Sequence, residues 1–493
     1  MRFSNTYLKR NAAFFLVLSL FAILHLFIVV FNHFTYKTFA YDYAVYNFAF
    51  FDFAHFKISP CPVYLSPHPV TFLQDHFSLT LMLFLPLYWI LVPLFGTYTL
   101  LIIQWMIVVT GGIAVYKLIC IKGQNKVISL AAMIYYFLLY GRYASYQSDC
   151  NLVIIGSAVI PVFLYYFEKE NLPGTLLAFV FLIISREDFS FDLSFLCLML
   201  VFLNRHNKFK LRLSLILLVI SISSFIIIFK FIIPSLEDYY RKYTLFNYSA
   251  LGKNPAEAFR FFISHPLKIL EMLFSNHTAN PGNDGLKMEF YLIYLISGGF
   301  LLFLRPVYIL PLIPLVFKKV LNDDPLRWGI EMYHSVEIAS ILPILVFSVL
   351  LKLRSAFSRE IGAYIVCALT LGVTLFCFNI YIQRSYSVNK VNFLTGSFYS
   401  GYGDIGEINK ITRLIPDTAA VCASGRLTTH LSLRKHIFHF PSIDESHYVV
   451  IQRDGGTWPI DQKEFNQRIK GMAVSNEWVI RYASEKYILF ERE

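Results

Sequence analysis

Two stretches of the chain, AAFFLVLSLFAILHLFIVVF at 12–31 and LSLILLVISISSFIIIFKFII at 213–233, are long and apolar enough to cross a lipid bilayer. About 20 apolar residues in a helix span the ~30 Å hydrocarbon core. A helix satisfies its own backbone polar groups there, which an open loop does not. Composition agrees: of 493 residues 56% are hydrophobic and 15% charged, against roughly 25% charged in soluble proteins, and the mean hydropathy is +0.55. Apolar runs predict helices near 12–32, 97–117, 127–140, 151–167, 172–185, 189–203, 213–233, 290–304, 306–320, 335–351 and 361–381. The fold class is a polytopic α-helical membrane protein with about eleven crossings.

The run FSLTLMLFLPLYWILVPLF at 77–95 is the difficult one. Counted as a crossing, it places the basic segment KLICIKGQNK (117–126) outside, against the positive-inside rule. Counted as a non-spanning segment interrupted by Pro86 and Pro93, it leaves that segment inside. The inner segments then carry about 15 Lys/Arg in about 44 residues and the outer loops about 13 in about 149. This puts the amino terminus in the cytoplasm and the carboxyl terminus outside a multi-pass cell (plasma or inner) membrane. The basic start MRFSNTYLKR precedes a run too long for a signal peptide and reads as a retained anchor. The net charge of +11 is accounted for by helix-flanking Lys and Arg, so no nucleic-acid partner is expected. The seven cysteines show no CxxC pair and no Cys/His cluster, leaving open only a pairing among Cys61, Cys150 and Cys422.

From about 385 the apolar runs shorten. AAVCAS, KHIFHF, YVVIQ, EWVIRY and YILFER read as strands, and GEINKITRLI and DQKEFNQRIKGM as helices. Residues 385–493 are therefore expected to form a small extracytoplasmic α/β domain behind a transmembrane domain at 1–384. The latter carries a first outer loop at 33–96 with interfacial helices and a second at 234–289.

This topology gathers Asp42, Asp52, Asp75, His76, Gln147, Asp149, Arg186, Glu187, Asp188, Tyr333 and His334 at outer helix ends or in outer loops. Polar groups collected on one rim of an apolar bundle point to a site opening there. Plainer readings stand beside this one. Asp42 suits a helix N-cap, Asp75 and His76 a surface pair, Ser185 and Asp188 a capped turn, and Arg186 a snorkelling cation. Asp192, inside an apolar helix, must be paired or face a cavity. Lys318 and Lys319 break the charge rule at an outer helix end. The aromatics of YDYAVYNFAFFDFAHF (41–56) suit a membrane belt, a lipid groove or a sugar-stacking face. Phosphate-loop, dinucleotide and zinc-protease motifs are absent.

Several blocks resemble the domain-of-unknown-function 2079 family of polytopic membrane proteins, which is similar to the GT-C superfamily of membrane glycosyltransferases. YDYAVYNFAFFD (41–52) resembles its aspartate-containing first loop, and LQDHFSLTLMLFLPLYWI (73–90) its G-D-H-F-S-P and A-P-L-Y-W-L block. SREDFS (185–190) is similar to its K-E-D turn, with Arg186 keeping the charge of the usual lysine. YHSVEIASILP (333–343) and IPDTAAVCASGRLTTHLSLRKHIFHFP (415–441) are similar to its H-Y block and soluble-domain signature. Asn47 stands where many members carry a second acid. The resemblance implies a GT-C-like fold, a catalytic aspartate in the first outer loop and a polyprenyl-phosphate-linked sugar donor. The acceptor would be a glycan, lipid or protein.

Glycosyl transfer needs a base for the acceptor hydroxyl and a counter-charge for the leaving phosphate. Asp42 is the candidate base. Asp75, His76, Arg186, Glu187, Asp188, Lys318, Lys319 and His334 are the candidate substrate- and phosphate-binding residues, with membrane lipids as further partners. Glu187 and Asp188 offer oxygen ligands, which suit magnesium, manganese or calcium rather than zinc; no metal site is assigned. The competing classes are a transporter or lipid-export component, which would place charges near the bilayer midplane, and a non-catalytic membrane scaffold.

Overall fold

The structure is a computed structural model and describes residues 11–238, 246–278, 280–381, 388–443 and 445–493. The basic start at 1–10 lies outside these residues, as does the junction at 382–387. Two compact units divide the chain. One holds residues up to His25, Trp105–Gln147 and Leu152–Ser387; the other holds Leu26–Gln104, Ser148–Asn151 and Val388–Glu493.

The first unit is helical. Over the described residues of both units, five helices are long and apolar enough to cross a membrane: Ala12–Phe34, Leu85–Gly123, Lys208–Leu236, Tyr333–Leu350 and Ala356–Ile380. A sixth results if Lys126–Leu138 and Tyr140–Ser148, bent by 42°, count as one. Leu152–Glu168, Leu172–Ser185 and Phe189–Leu203 are apolar but shorter. Asparagines start several of them. Asn125 caps the amides of Val127 and Ile128 at 2.8 and 3.1 Å, and Asn171 caps Gly174 at 2.8 Å. Each cap satisfies donors that the first helical turn leaves open. Val336–Leu350 is buried along its whole length and packs on Leu152–Glu168 and Lys126–Leu138. Gly111 and Gly112 let the helix beginning at Thr99 approach Tyr136 and Phe137, where a Cβ would collide. Small residues at such crossings are the usual way for membrane helices to meet closely.

Two expected helices are broken. The run 290–304 becomes an α-helix, Leu286–Ile296, then a 3-10 segment, Gly299–Leu304. Gly298 between them sits at φ +109°, a conformation that side-chain-bearing residues avoid. The run 306–320 becomes a 3-10 turn, Pro306–Ile309, then the helix Leu312–Val320. Pro306, Pro311 and Pro314 each remove a backbone donor.

The second unit joins the first loop to the carboxyl-terminal sheet. The difficult run holds the helix Leu85–Phe95, 11 residues long, or about 16 Å, which is short against a bilayer core. Gly96 at φ +52° turns the chain before Thr99–Gly123 continues. The sheet has five strands among the described residues: β1 (Val421–Ala423), β2 (Ile437–His439), β3 (Tyr448–Gln452), β4 (Trp478–Ala483) and β5 (Tyr487–Arg492). Their order is β2-β1-β3-β5-β4. β1 pairs in parallel with β2 and β3, while β5 pairs antiparallel with β3 and β4. Cys422, Val449, Phe465, Trp478 and Phe490 form its core with the helix Gln462–Val474. None of the seven cysteines is in a disulfide.

A candidate site in each unit

Asp42 lies on a π-turn, Ala40–Ala44, that opens the helix Val45–Ala54. The turn is held from the sheet side of its own unit. The short helix Gly425–His430, which follows β1, packs on it. A Cβ on Gly425 would come within 2.9 Å of the Phe39 ring. The preceding residues are stitched to the tail: Thr38 Oγ1 meets Thr429 Oγ1 at 3.0 Å, the Tyr402 amide donates to Thr35 O at 3.0 Å, and Arg426 donates to Lys37 O.

Next to this turn is a buried ion pair that was not foreseen. Lys390 Nζ donates to both oxygens of Asp149, at 2.8 and 2.9 Å. The Phe39 amide donates to Asp149 Oδ2 at 3.0 Å. Asp149 takes φ +57°, and Gln104 holds its carbonyl at 2.9 Å. Burial pushes Asp149 up and Lys390 down, and each partner's charge opposes that push. A fixed charge pair beside a carboxylate sets its field. Asp42 is only part-buried and accepts no hydrogen bond among the described residues. Its carboxyl is raised to about 6, first by desolvation and then by the Asp149 charge, against the pull of His76 and Lys390. Asp42 is thus not an N-cap.

Asp75 and His76 follow from a capping box: Thr71 accepts from the Gln74 amide and Gln74 returns a bond to the Thr71 amide. Tyr64 donates to Asp75 at 3.1 Å, and the His76 Nε2–Asp75 Oδ2 distance is 3.6 Å. Asp52 accepts from the amide and hydroxyl of Ser59 at 2.5 and 2.8 Å, closing a loop. Most aromatics of 41–56 are neither belt nor groove: Tyr43, Tyr46, Phe48, Phe50 and Phe53 are buried core. Tyr41 and Phe56 are exceptions, 46% and 91% exposed, and Trp458, 49% exposed, lies edge-on to Tyr41 at 5.3 Å. Trp458 ends the segment RDGGTW (453–458).

The remaining sequence candidates fall in the first unit. Lys318 Nζ lies 2.7 Å from Asp188 Oδ2, 2.6 Å from Asp192 Oδ2 and 3.2 Å from Glu337 Oε1. Arg186 Nε lies 3.4 Å from Glu187 Oε1 and 3.5 Å from Asp188 Oδ1, so it is paired rather than snorkelling. Asp188 stands at the N-cap of Phe189–Leu203 but makes no cap bond. Burial works to raise its carboxyl; Lys318 and Arg186 outweigh that and hold it well below the usual range. Lys319 turns to the carbonyl of Gly329. His334 sits on a 3-10 turn, Tyr333–Ser335, with its ring 4.0 Å from that of Tyr333. The lysine offered to phosphate by the sequence is therefore surrounded by carboxylates. Glu337 was missed, although an acid at the head of an apolar helix carries the same signal as Asp192. Lys390 carried no signal, since it lies in a polar stretch like many surface lysines.

A site of this kind, a free carboxylate in a loop beside charged partners, defines a class: a membrane protein with a polar site on an apolar scaffold. The chain belongs to the family described as predicted membrane protein DUF2079, whose model matches residues 32–489. No curated protein matches it. Among solved structures it is similar to the archaeal oligosaccharyltransferase AglB from Archaeoglobus fulgidus, in complex with an inhibitory peptide and a dolichol-phosphate. That match has 11% identity and TM-score 0.46 and covers 91% of this chain and 70% of that one. It is also similar to ArnT from Cupriavidus metallidurans bound to undecaprenyl phosphate, with 10% identity and TM-score 0.44, covering 96% of this chain and 97% of that one.

Proposed function

We propose that this chain is a membrane glycosyltransferase of the GT-C type, moving a sugar from a polyprenyl-phosphate donor to an acceptor on the extracytoplasmic face, with Asp42 as general base. The observation that carries this reading is the state of Asp42: part-open, unbonded by protein donors among the described residues, and raised to about 6. A base with a value near neutral is half-ready to take a proton and strong enough to hold it. The family resemblance of 41–52 and 73–90 supports the same position.

In this reading the donor phosphate lies beside His76 and Lys390, the two basic side chains that act on the Asp42 carboxylate. Their charge offsets the negative charge that develops on the leaving phosphate. Tyr41 and Trp458 offer exposed ring faces to a sugar. A glycan, lipid or protein hydroxyl is the acceptor, and any divalent ion taking part would be of the oxygen-liganded kind. The site faces away from the cytoplasm, with the amino terminus inside and the carboxyl-terminal α/β domain outside the cell membrane.

The test is a profile of lipid-linked sugars and envelope glycans in a strain lacking the gene. The expected result is an accumulated lipid-linked donor and a glycan short of one sugar, both restored by the wild-type chain. Unchanged profiles would count against the transferase.

A further inference from the structure

The carboxylate cluster of the helical unit carries more negative charge than its cations answer. Asp188 and Asp192 are one turn apart at the start of the helix Phe189–Leu203, and Glu337 comes from the head of Val336–Leu350. Among the described residues these three carboxylates face two cations, Lys318 and Arg186, and Arg186 also meets Glu187. The neighbouring ammonium, Lys319, is given to the Gly329 carbonyl and lies over the Phe290 ring at 5.0 Å. Helix ends buried among apolar side chains do not tolerate an uncompensated surplus of this kind, because desolvation penalises each charge.

Two observations say what would relieve it. One ligand oxygen each from Asp188, Asp192 and Glu337 can be chosen so that all three lie within 4.8 Å of one another. This is the spread expected of oxygens around one divalent ion with bonds of about 2.0–2.6 Å. Separately, Asp192 is nine-tenths buried (7% exposed), and its Oδ1 has no hydrogen-bond partner among the described residues. Lys318 uses only Oδ2 of that carboxylate. A buried carboxylate oxygen without a donor is costly, and a cation supplies what it lacks.

We propose that Asp188, Asp192 and Glu337 form a divalent-cation site, with the Lys318 ammonium as a tethered cation that competes for the same oxygens. The donor set is oxygen only, which selects magnesium, manganese or calcium over zinc. The site does not depend on the glycosyltransferase reading, since it is read by binding alone. Occupancy by the divalent ion requires Lys318 to yield part of its contact, so affinity in the wild-type chain is set by the exchange of one positive charge for two.

The experiment uses the full chain in detergent or nanodiscs with manganese as the probe, read by electron paramagnetic resonance of free and bound ion. The wild-type chain is expected to bind one manganese ion, displaced by magnesium or calcium. Asp192→Asn is expected to lose it. Lys318→Ala is expected to bind roughly tenfold tighter or more, about 1.4 kcal/mol per tenfold. Absence of a bound ion in the wild-type chain at millimolar manganese, or binding unchanged by Asp192→Asn, would overturn the site. Equal affinity in Lys318→Ala and wild type would overturn the competition. Should Lys318→Ala fail to fold, Lys318→Gln carries that comparison, while wild type against Asp192→Asn decides the site.

Discussion

In one unit a lysine and an aspartate satisfy each other: Lys390 reaches both oxygens of Asp149, and the Phe39 amide adds a third bond. In the other a lysine serves three carboxylates, and one oxygen of Asp192 is left over. The difference is one of balance. A matched pair fixes a local field and a loop, and it leaves the neighbouring Asp42 unbonded. A surplus of acid creates demand for a further cation or proton. The two clusters therefore predict unequal responses to the loss of an acid.

The largest effects should come from breaking the matched pair. Asp149→Asn or Lys390→Met alone is expected to lower stability by about 3–5 kcal/mol, the usual result of stranding one buried charge. The double change Asp149→Leu with Lys390→Met should recover much of that in a thermal-unfolding assay. In the acid-rich cluster, Lys318→Met should cost a comparable amount, but Asp192→Asn should cost only about 1 kcal/mol or less, because it removes surplus charge along with one charge-assisted bond. Equal damage from Asp192→Asn and Asp149→Asn would erase the distinction between the clusters.

The pH response sharpens the comparison further. Asp42 is raised from 3.8 to about 6, so the folded chain holds this proton more tightly than the unfolded one. Its contribution to stability is present below about pH 4 and is lost as pH rises through about 6. Activity moves the other way: transfer should rise as pH passes 6 and Asp42 becomes a carboxylate. A rate profile flat between pH 5 and 7 would contradict the assignment. The smallest effect is expected at Trp458, where substitution by Ala removes one stacking face. It should raise KM for the sugar-bearing substrate several-fold, about 1 kcal/mol, with kcat little changed.

Much of this could be read from the sequence, because apolar run length and helix-capping asparagines are local signals. The strands at 421–423, 437–439, 448–452, 478–483 and 487–492 were each legible as short apolar runs. The breaks at Gly298 and Pro311 were not, since a hydropathy sum passes over one residue that stops a helix. In the sites, Lys318 was conspicuous because it violates the charge rule, and Asp192 because it interrupts an apolar helix. The sequence suggested phosphate for Lys318, whereas the fold gives it Asp188, Asp192 and Glu337. Lys390 was invisible: its partner Asp149 lies 241 residues away, and no local pattern encodes a pairing of that range. Charge alone put both Asp42 and Asp52 on the outer rim, and the family resemblance favoured Asp42. The fold also treats them differently, giving Asp52 to Ser59 and leaving Asp42 unclaimed by any described donor.

The most direct measurement is transfer from a polyprenyl-phosphate-linked sugar by the purified Asp42→Asn chain in proteoliposomes, beside wild type. A general base of this kind is worth roughly 100- to 10,000-fold. A loss of that size is expected, with insertion and thermal stability retained. An Asp42→Asn chain that inserts normally and transfers sugar at the wild-type rate would contradict the role given to Asp42.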